Sequence, residues 1–377
     1  MTSPMRSSPR LKWVALAIVV CIATILLLLA AEGAVRLRQW SRHGTAASFE
    51  ALYRLDEKLD LRVLVPGARV GNITVNTLGF RGPEIAVPKP QGRIRIAFLG
   101  ASTTFCAEAS GDMAVWPHLV VERLRARFPK ADFDYANGAV PGYTVRTSLR
   151  NLQQRIEPLE PDVVVIYHAT NDLSQEVRTL ALAQGLAKTT ESRERSWFAQ
   201  NLRLWELVEK NLRVIAARRG AESSRGRVVL DQKTLGKEFE RNLGKLIDAA
   251  GHDGRLVAVA TFSTRLRPEQ TDEEKKKAAV SALIYMPSMS LDGLLAGYRR
   301  YNDIIRAVAQ ARGALLVEGE NDIPGDAQHF ADSVHFTDGG SRSMAERVFK
   351  TLVAHPRFAS MPSPQHALRD VAATASR

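Results

Sequence analysis

RIRIAFLGASTTF, residues 93–105, is an apolar run that gives way to small hydroxylic residues. The run starts at the β-branched Ile94 and is nearly continuous, a pattern typical of a strand buried on both faces of a parallel sheet. It stops at Gly100. A sharp turn from strand to helix there would raise the hydroxyl of Ser102 above the carboxyl edge of the sheet, where open α/β sheets bind ligands. A plain turn with a serine helix cap fits this stretch equally well.

Further strand-like runs alternate with helical patterns along the chain. The other predicted strands are 132–136, 162–167, 256–262 and 314–318, and the predicted helices are 113–128, 144–156, 235–250, 294–311 and 343–352. Such alternation predicts a parallel sheet with helices on both faces. The expected fold class is therefore α/β, a flavodoxin-like three-layer α/β/α sandwich with a five-stranded parallel sheet.

The composition favours one large domain with appendages. The chain has 377 residues, of which 45% are hydrophobic and 24% charged, and this is enough to bury one substantial core. Its 52 basic and 40 acidic residues give a net charge of +12. The basic residues are scattered, without a zinc-finger, helix-turn-helix or aromatic-basic pattern, so we expect no nucleic-acid partner. A basic surface beside anionic lipid is the simpler interpretation.

The chain has two cysteines, which predict neither a disulfide nor a metal site. Cys21 lies inside an apolar N-terminal run and Cys106 lies just beyond Ser102, so a bond between them is implausible. Cys106 is a possible nucleophile, but Ser102 is better placed, and we expect Cys106 to be a small buried side chain. We expect no metal and no cofactor.

The N-terminal segment predicts a membrane anchor. Residues 13–31 carry no charge, and at about 1.5 Å per residue they can cross roughly 30 Å of hydrocarbon. A cleaved signal peptide has a shorter apolar core, so an uncleaved anchor is favoured, although cleavage near residues 30–34 stays open. Arg36, Arg38 and Arg42 blur the charge asymmetry across the span. We expect residues 1–12 in the cytoplasm, a single pass through the inner membrane, and the remainder on the periplasmic side.

The rest of the chain is expected to form a linker, a main domain and a tail. Residues 32–92 are predicted as a linker with a small lead-in hairpin, 93–355 as the main domain, and 356–377 as a mobile tail. Two insertions, at about 173–227 and 264–291, are expected to set specificity. The first contains an amphipathic stretch at 197–218, more compatible with a packed helix than with membrane contact. The second is placed to fold over the site as a lid.

Polar residues follow the predicted strands at one edge of the sheet. Ser102 follows the first strand, Gly142 the second and Asn171 the third, while Asp332 and His335 precede the last helix. Serine is a weak nucleophile until a base takes its proton, and the base works best when a carboxylate orients it. The developing oxyanion needs preorganised N–H donors. These five residues can supply each of these parts, although each short motif alone also fits a turn, a helix cap or a surface pair.

Four short segments, at 100–104, 137–142, 170–172 and 332–335, resemble in order the four blocks of the SGNH/GDSL hydrolase family. The resemblance covers about residues 76–353, and Arg81 and Trp116 resemble membrane-tethered bacterial members. It implies that Ser102 is the nucleophile, that Asp332 and His335 complete a triad, and that Gly142 and Asn171 join the Ser102 N–H as oxyanion donors. The chain departs from many members at two positions. Ala101 stands where they have Asp directly before the nucleophile, and Ala169 stands where they have Gly two residues before the block-three Asn.

These observations predict a membrane-anchored extracytoplasmic serine esterase acting on carboxylic esters. The resemblance implies acetyl or short acyl groups on a cell-envelope glycan as substrate, and lipid esters, thioesters and other acylated small molecules are the open alternatives. An O-acyltransferase using the same triad is an alternative. A catalytically silent glycan-binding or assembly module is another alternative, which the intact Ser102, Asp332 and His335 disfavour.

Overall fold

The computed structural model describes residues 9–43, 49–187 and 226–362, with isolated positions between 202 and 215. They belong to two compact units, one drawn from residues 1–47 and 190–213, the other from 48–189 and 214–377. The first unit contains helix α1, Pro9–His43. Its stretch Trp13–Arg38 is long and apolar enough to cross a membrane, and the side chains of residues 13–30 are exposed.

The second unit opens with two small hairpins. Strand β1, Tyr53–Asp56, pairs antiparallel with β2, Leu61–Leu64, and β3, Arg69–Val70, pairs with β4, Ile73–Thr74. The sequence predicted a hairpin in the region of β3 and β4 but not the one formed by β1 and β2.

The two hairpins pack on the main domain. The cluster they share with the loops after the next two strands contains Leu52, Leu61, Val63, Leu64, Val70, Ile73, Val75, Ala101, Phe105, Ala139, Val140 and Tyr143. Because these apolar side chains are buried against one another, residues 49–92, called here the lead-in, belong to the same unit as the main domain. The expected boundary at residue 93 is therefore not a structural one.

A five-stranded parallel sheet forms the centre of the unit. Its strands are β5, Arg93–Gly100; β6, Asp132–Asn137; β7, Val163–Tyr167; β8, Leu256–Ala260; and β9, Leu315–Val317. Their order is β6-β5-β7-β8-β9, and every neighbouring pair is parallel. All residues of β7 and β8 are buried, as expected for strands covered on both faces. The predicted flavodoxin-like sheet is confirmed.

Helices cover both faces of the sheet. They are α2, Ser102–Phe105; α3, Trp116–Arg127; α4, Val145–Asn151; α5, Thr170–Ala183; α6, Lys237–Ala250; α7, Asp272–Tyr285; α8, Leu291–Ala311; α9, Asp338–Ala354; and α10, Pro356–Ser360. Helices α3 and α9 pack together on one face, and α6 contacts both α4 and α8 on the other, as right-handed crossovers require.

Two expectations about the appendages differ from the structure. Residues 356–360 form α10 and bury Phe358 in the core, so the start of the predicted mobile tail is ordered because an aromatic side chain anchors it; residues 363–377 lie outside the described part.

Helix α7, in the second insertion, is fixed to the loop before α9: Ser333 Oγ accepts from the Ala282 N–H and Ser281 Oγ accepts from the Ser333 N–H, both at 3.0 Å. It is an anchored helix beside the site. Of the amphipathic stretch at 197–218, the structure describes only separate positions between 202 and 215.

Candidate active site

A tight turn after β5 presents Ser102. Strand β5 ends at Gly100, and Ser102 is the first residue of the four-residue helix α2. A Cβ on Gly100 would lie 2.0 Å from Thr104 Oγ1 and 2.6 Å from Thr104 Cβ, so only glycine allows the chain to turn this sharply. Cys106 ends the turn in the left-handed region, with φ 57°. The side chain of Ser102 is thereby placed at the carboxyl edge of the sheet.

A chain of hydrogen bonds joins three of the predicted site residues. His335 Nε2 lies 2.8 Å from Ser102 Oγ, and His335 Nδ1 lies 2.8 Å from Asp332 Oδ2. The other carboxylate oxygen, Oδ1, accepts the backbone N–H groups of Val334 and His335, each at 2.9 Å. An ionised carboxylate only accepts, so Nδ1 carries the proton and Nε2 is free to accept from the serine hydroxyl. The arrangement matches a nucleophile, a base and an orienting acid.

The charges of the site favour this protonation pattern. Burial raises the pKa of Asp332, but the hydrogen bond and charge of His335, with two backbone N–H groups, outweigh it and lower that pKa to about 2. Burial also lowers the pKa of His335, and here the hydrogen bond to Asp332 and the negative charges of Glu108 and Asp332 prevail and raise it. Asp332 therefore stays ionised at all ordinary pH values and is ready to stabilise a protonated ring.

The three predicted oxyanion donors lie after β5, β6 and β7, at the same edge of the sheet. Asn171 Nδ2 donates to the Tyr143 carbonyl at 2.9 Å, which fixes the amide and leaves its second hydrogen available. Gly142 has φ +90° and faces open space, since a Cβ there would meet nothing within 4 Å. Its N–H has no acceptor within the part of the chain that the structure describes. Ser102, as the first residue of α2, has an N–H without an intrahelical acceptor.

A second serine and histidine pair lies behind the site and is buried. Ser148 Oγ is 2.8 Å from His168 Nε2, and Asp172 Oδ2 is 4.0 Å from His168 Nδ1. Burial lowers the pKa of His168 to about 3, so the ring is neutral. Burial raises the pKa of Asp172 to about 7, against a hydrogen bond from the Val145 N–H. Ser148 is 0% exposed, so no substrate reaches this pair.

Two further charged residues sit against the nucleophile turn. Arg81 is fully buried; it donates from Nε to Asp112 Oδ1 at 2.8 Å and from Nη1 to the carbonyls of Phe105 and Cys106 at 2.7 Å each. The sequence flagged Arg81 only by resemblance. Glu108 Oε1 lies 4.0 Å from His335 Nδ1, and no pattern in the sequence pointed to it.

Cys106, close to Ser102 in the sequence, is a buried side chain. Burial raises the pKa of the Cys106 thiol to about 12, so this side chain is an unreactive part of the core, as expected. Within residues 9–43, 49–187, 226–362 and the isolated positions between, no group of three or more His, Cys, Asp or Glu side chains is arranged to hold a metal ion.

The order of these parts along the chain also matches a known family. A profile of the GDSL-like Lipase/Acylhydrolase family matches residues 98–342. The chain belongs to this family. The match begins within β5 and ends within α9, so it includes both the Ser102 turn and the loop with Asp332 and His335. As a GDSL-family protein of the SGNH type, the chain is a carboxylic ester hydrolase.

Several solved structures are similar to this GDSL-family chain at low sequence identity. Axe2, an acetylxylan esterase from Geobacillus stearothermophilus, is 16% identical, with 68% of this chain and 93% of that chain covered and a TM-score of 0.42. The psychrotrophic esterase EstA from Pseudoalteromonas sp. is 14% identical, with 69% and 97% covered and a TM-score of 0.41. Among curated protein sequences, none matches the chain.

Proposed function

We propose that the protein is a membrane-anchored, extracytoplasmic serine esterase that removes acetyl or other short acyl groups from a cell-envelope glycan. The observation that carries the proposal is the unbroken hydrogen-bond chain from Asp332 through His335 to Ser102. It has the order and the geometry that serine nucleophile catalysis requires.

The proposed reaction passes through an acyl-enzyme. Ser102 Oγ attacks the ester carbonyl while its proton moves to His335 Nε2, and the oxyanion is held by the N–H groups of Ser102 and Gly142 and by the Asn171 amide. His335 then gives that proton to the departing alcohol oxygen as the C–O bond breaks. Water next attacks the acyl carbon, with His335 taking its proton. Collapse returns the proton to Ser102 and releases the carboxylic acid.

The surroundings of the base support a polar alcohol as leaving group. The leaving oxygen must lie beside His335, and the carboxylates next to this ring, Glu108 and Asp332, are each about one-third exposed. Such a rim suits a hydroxyl-rich glycan better than a long hydrocarbon chain, because charged groups beside hydrocarbon lose hydration without gaining a partner. The exposed apolar stretch Trp13–Arg38 supports the membrane anchor.

The experiment uses the full chain in detergent with a fluorophosphonate probe and with p-nitrophenyl esters from acetyl to dodecanoyl. We expect labelling of the wild type, preference for the short esters, and release of acetate from acetylated oligosaccharides. Ser102→Ala should abolish both labelling and turnover. The matched control is Ser148→Ala, which removes the other serine bonded to a histidine and should leave labelling intact.

Three results would count against the proposal. Labelling that persists in Ser102→Ala would remove Ser102 as the nucleophile. Turnover restricted to the long esters would remove the short-acyl substrate. Formation of a newly acetylated glycan in place of free acetate, when unacetylated oligosaccharide is added, would show that the enzyme is an acyltransferase.

A further inference from the structure

A second carboxylate lies beside the candidate base. We propose that Glu108 is a positioning residue for His335, holding negative charge at the Nδ1 side of the ring so that Glu108 and Asp332 stabilise the imidazolium together. This inference rests on the proposed function, because it concerns the base of that reaction.

The two carboxylates approach the same ring nitrogen from different parts of the fold. Asp332 Oδ2 is 2.8 Å from His335 Nδ1, within hydrogen-bonding distance, and Glu108 Oε1 is 4.0 Å from it. The longer distance is too great for a hydrogen bond, but two opposite charges 4 Å apart still attract strongly in a partly buried site. Asp332 comes from the loop before α9, whereas Glu108 comes from the loop after α2, six residues beyond the nucleophile.

The loop that carries Glu108 is tied down on several sides. The Ser110 N–H donates to Asp338 Oδ1 at 2.8 Å, and Asn72 Nδ2 donates to the Ala109 carbonyl at 2.7 Å. On the other flank, Arg81 Nη1 donates to the Cys106 carbonyl at 2.7 Å. The backbone on both sides of Glu108 is thus fixed to α9 and to the lead-in. A side chain held in this way is kept next to His335 by the fold itself.

The charged and titratable groups around the pair come from four elements. His335 interacts electrostatically with Asp332 and Glu108. Glu108 also interacts with Arg81 of the lead-in, with Tyr53 of β1 and with Asp332. Asp332 interacts in addition with Tyr298 of α8. Burial and the charge of Asp332 raise the pKa of Glu108, while His335 and Arg81 lower it, and the pKa remains above its usual range. A protonated His335 therefore favours the ionised form of Glu108, and an ionised Glu108 favours the protonated form of His335.

Such an arrangement has a specific kinetic consequence. Removing Glu108 takes one negative charge from the ring, so the pKa of His335 falls and the base stays neutral to lower pH. Removing Asp332 leaves Glu108 as the nearest carboxylate, able to move in and accept from Nδ1–H. The loss of Glu108 should then cost more when Asp332 is already absent.

The experiment measures kcat and KM against pH for p-nitrophenyl acetate with the full chain. The variants are Glu108→Gln, Asp332→Ala and the double variant; alanine is used at 332 because asparagine would offer an N–H donor and favour the wrong ring tautomer. The matched control is Glu240→Gln, an exposed glutamate on α6. We expect Glu108→Gln to shift the acid limb of kcat/KM to lower pH by about half a unit and to lower kcat severalfold at unchanged KM.

In the Asp332→Ala background, Glu108→Gln should lower kcat/KM by a factor at least about tenfold larger than the factor by which it lowers kcat/KM of the wild type. The proposal fails if the acid limb of Glu108→Gln coincides with that of the wild type and of Glu240→Gln. It also fails if Glu108→Gln lowers kcat/KM by the same factor in the wild type and in Asp332→Ala. If the wild type itself shows no turnover that depends on Ser102, the proposed esterase function is wrong, which is a different result from a failure of the Glu108 proposal. If Asp332→Ala fails to fold, the shift in Glu108→Gln alone decides.

Discussion

At the scale of single residues, the amide of Asn171 illustrates how one side chain can be both fixed and available. One of its hydrogens is committed to the Tyr143 carbonyl. That bond sets the plane of the amide group, so the second hydrogen points in a defined direction before any substrate arrives. Preorganised donors of this kind stabilise charge without reorganising during the reaction.

Replacing Asn171 with alanine should lower kcat by about 10²–10³ with little change in KM, since the donor acts mainly on transition-state charge. Replacing His335 with alanine removes the base and should cost up to about 10⁶. Steady-state kinetics and fluorophosphonate labelling measure both. Asn171→Ala should still label slowly, whereas His335→Ala should barely react. If both variants lose labelling completely while circular dichroism shows folded protein, Asn171 would be a structural support for Ser102 and no oxyanion donor.

The sequence located Ser102, Asp332 and His335 because each sits in a short motif at the end of a strand or before a helix, where local pattern and position coincide. Glu108 could not be found in this way. Its importance depends on the approach of a loop after α2 to a loop before α9, two segments whose contact exists only in the folded chain.

At the scale of elements, the lead-in is joined to the nucleophile turn through a buried cation. Arg81 has no exposed side-chain surface and bonds to Asp112 and to two carbonyls of the turn. A guanidinium buried in this way is tolerated only while its partners remain. The lead-in therefore supports the backbone on which Ser102 stands.

Arg81→Met should lower the free energy of unfolding by about 3–5 kcal/mol, because Asp112 and the two carbonyls lose their donor. It should also lower kcat, since the turn loosens. The matched control is Arg62→Met, on the same lead-in, whose side chain is 42% exposed and which should cost less than about 1 kcal/mol. Urea unfolding compares the two. Similar losses in both variants would show that the lead-in is not anchored through Arg81.

The five strands of the sheet were predictable because each carries apolar residues at strand spacing and alternates along the chain with segments of helical pattern. Strand β1 was not, since Tyr53 and Asp56 are half-buried and Arg54 and Leu55 are exposed, so YRLD lacks the apolar–polar alternation by which a strand is found in a sequence. The packing of Phe358 was missed for a related reason: one aromatic residue among Pro, Ala and Ser has no periodicity, and only its tertiary contacts order α10.

At the scale of the whole molecule, the proposal of an anchored extracytoplasmic enzyme makes a prediction about topology. A reporter fused after Arg377 should be active only outside the cytoplasm, because the charge-free residues 13–31 would cross the membrane once with the N-terminus inside. Paired alkaline phosphatase and green fluorescent protein fusions measure this in cells. A fusion lacking residues 13–31 is the control and should report the cytoplasm. A cytoplasmic signal from the complete chain would contradict the proposed orientation.

The candidate nucleophile and base are 233 residues apart in the chain, and this separation affects when activity can first arise. At a synthesis rate of about 5–20 residues per second, roughly 10 to 50 s pass between the two. During that interval the ribosome carries a serine that has no partner to activate it. A nascent chain is thus inactive toward acyl esters, and hydrolysis begins only after His335 has been synthesised and has reached Ser102 in the folded domain.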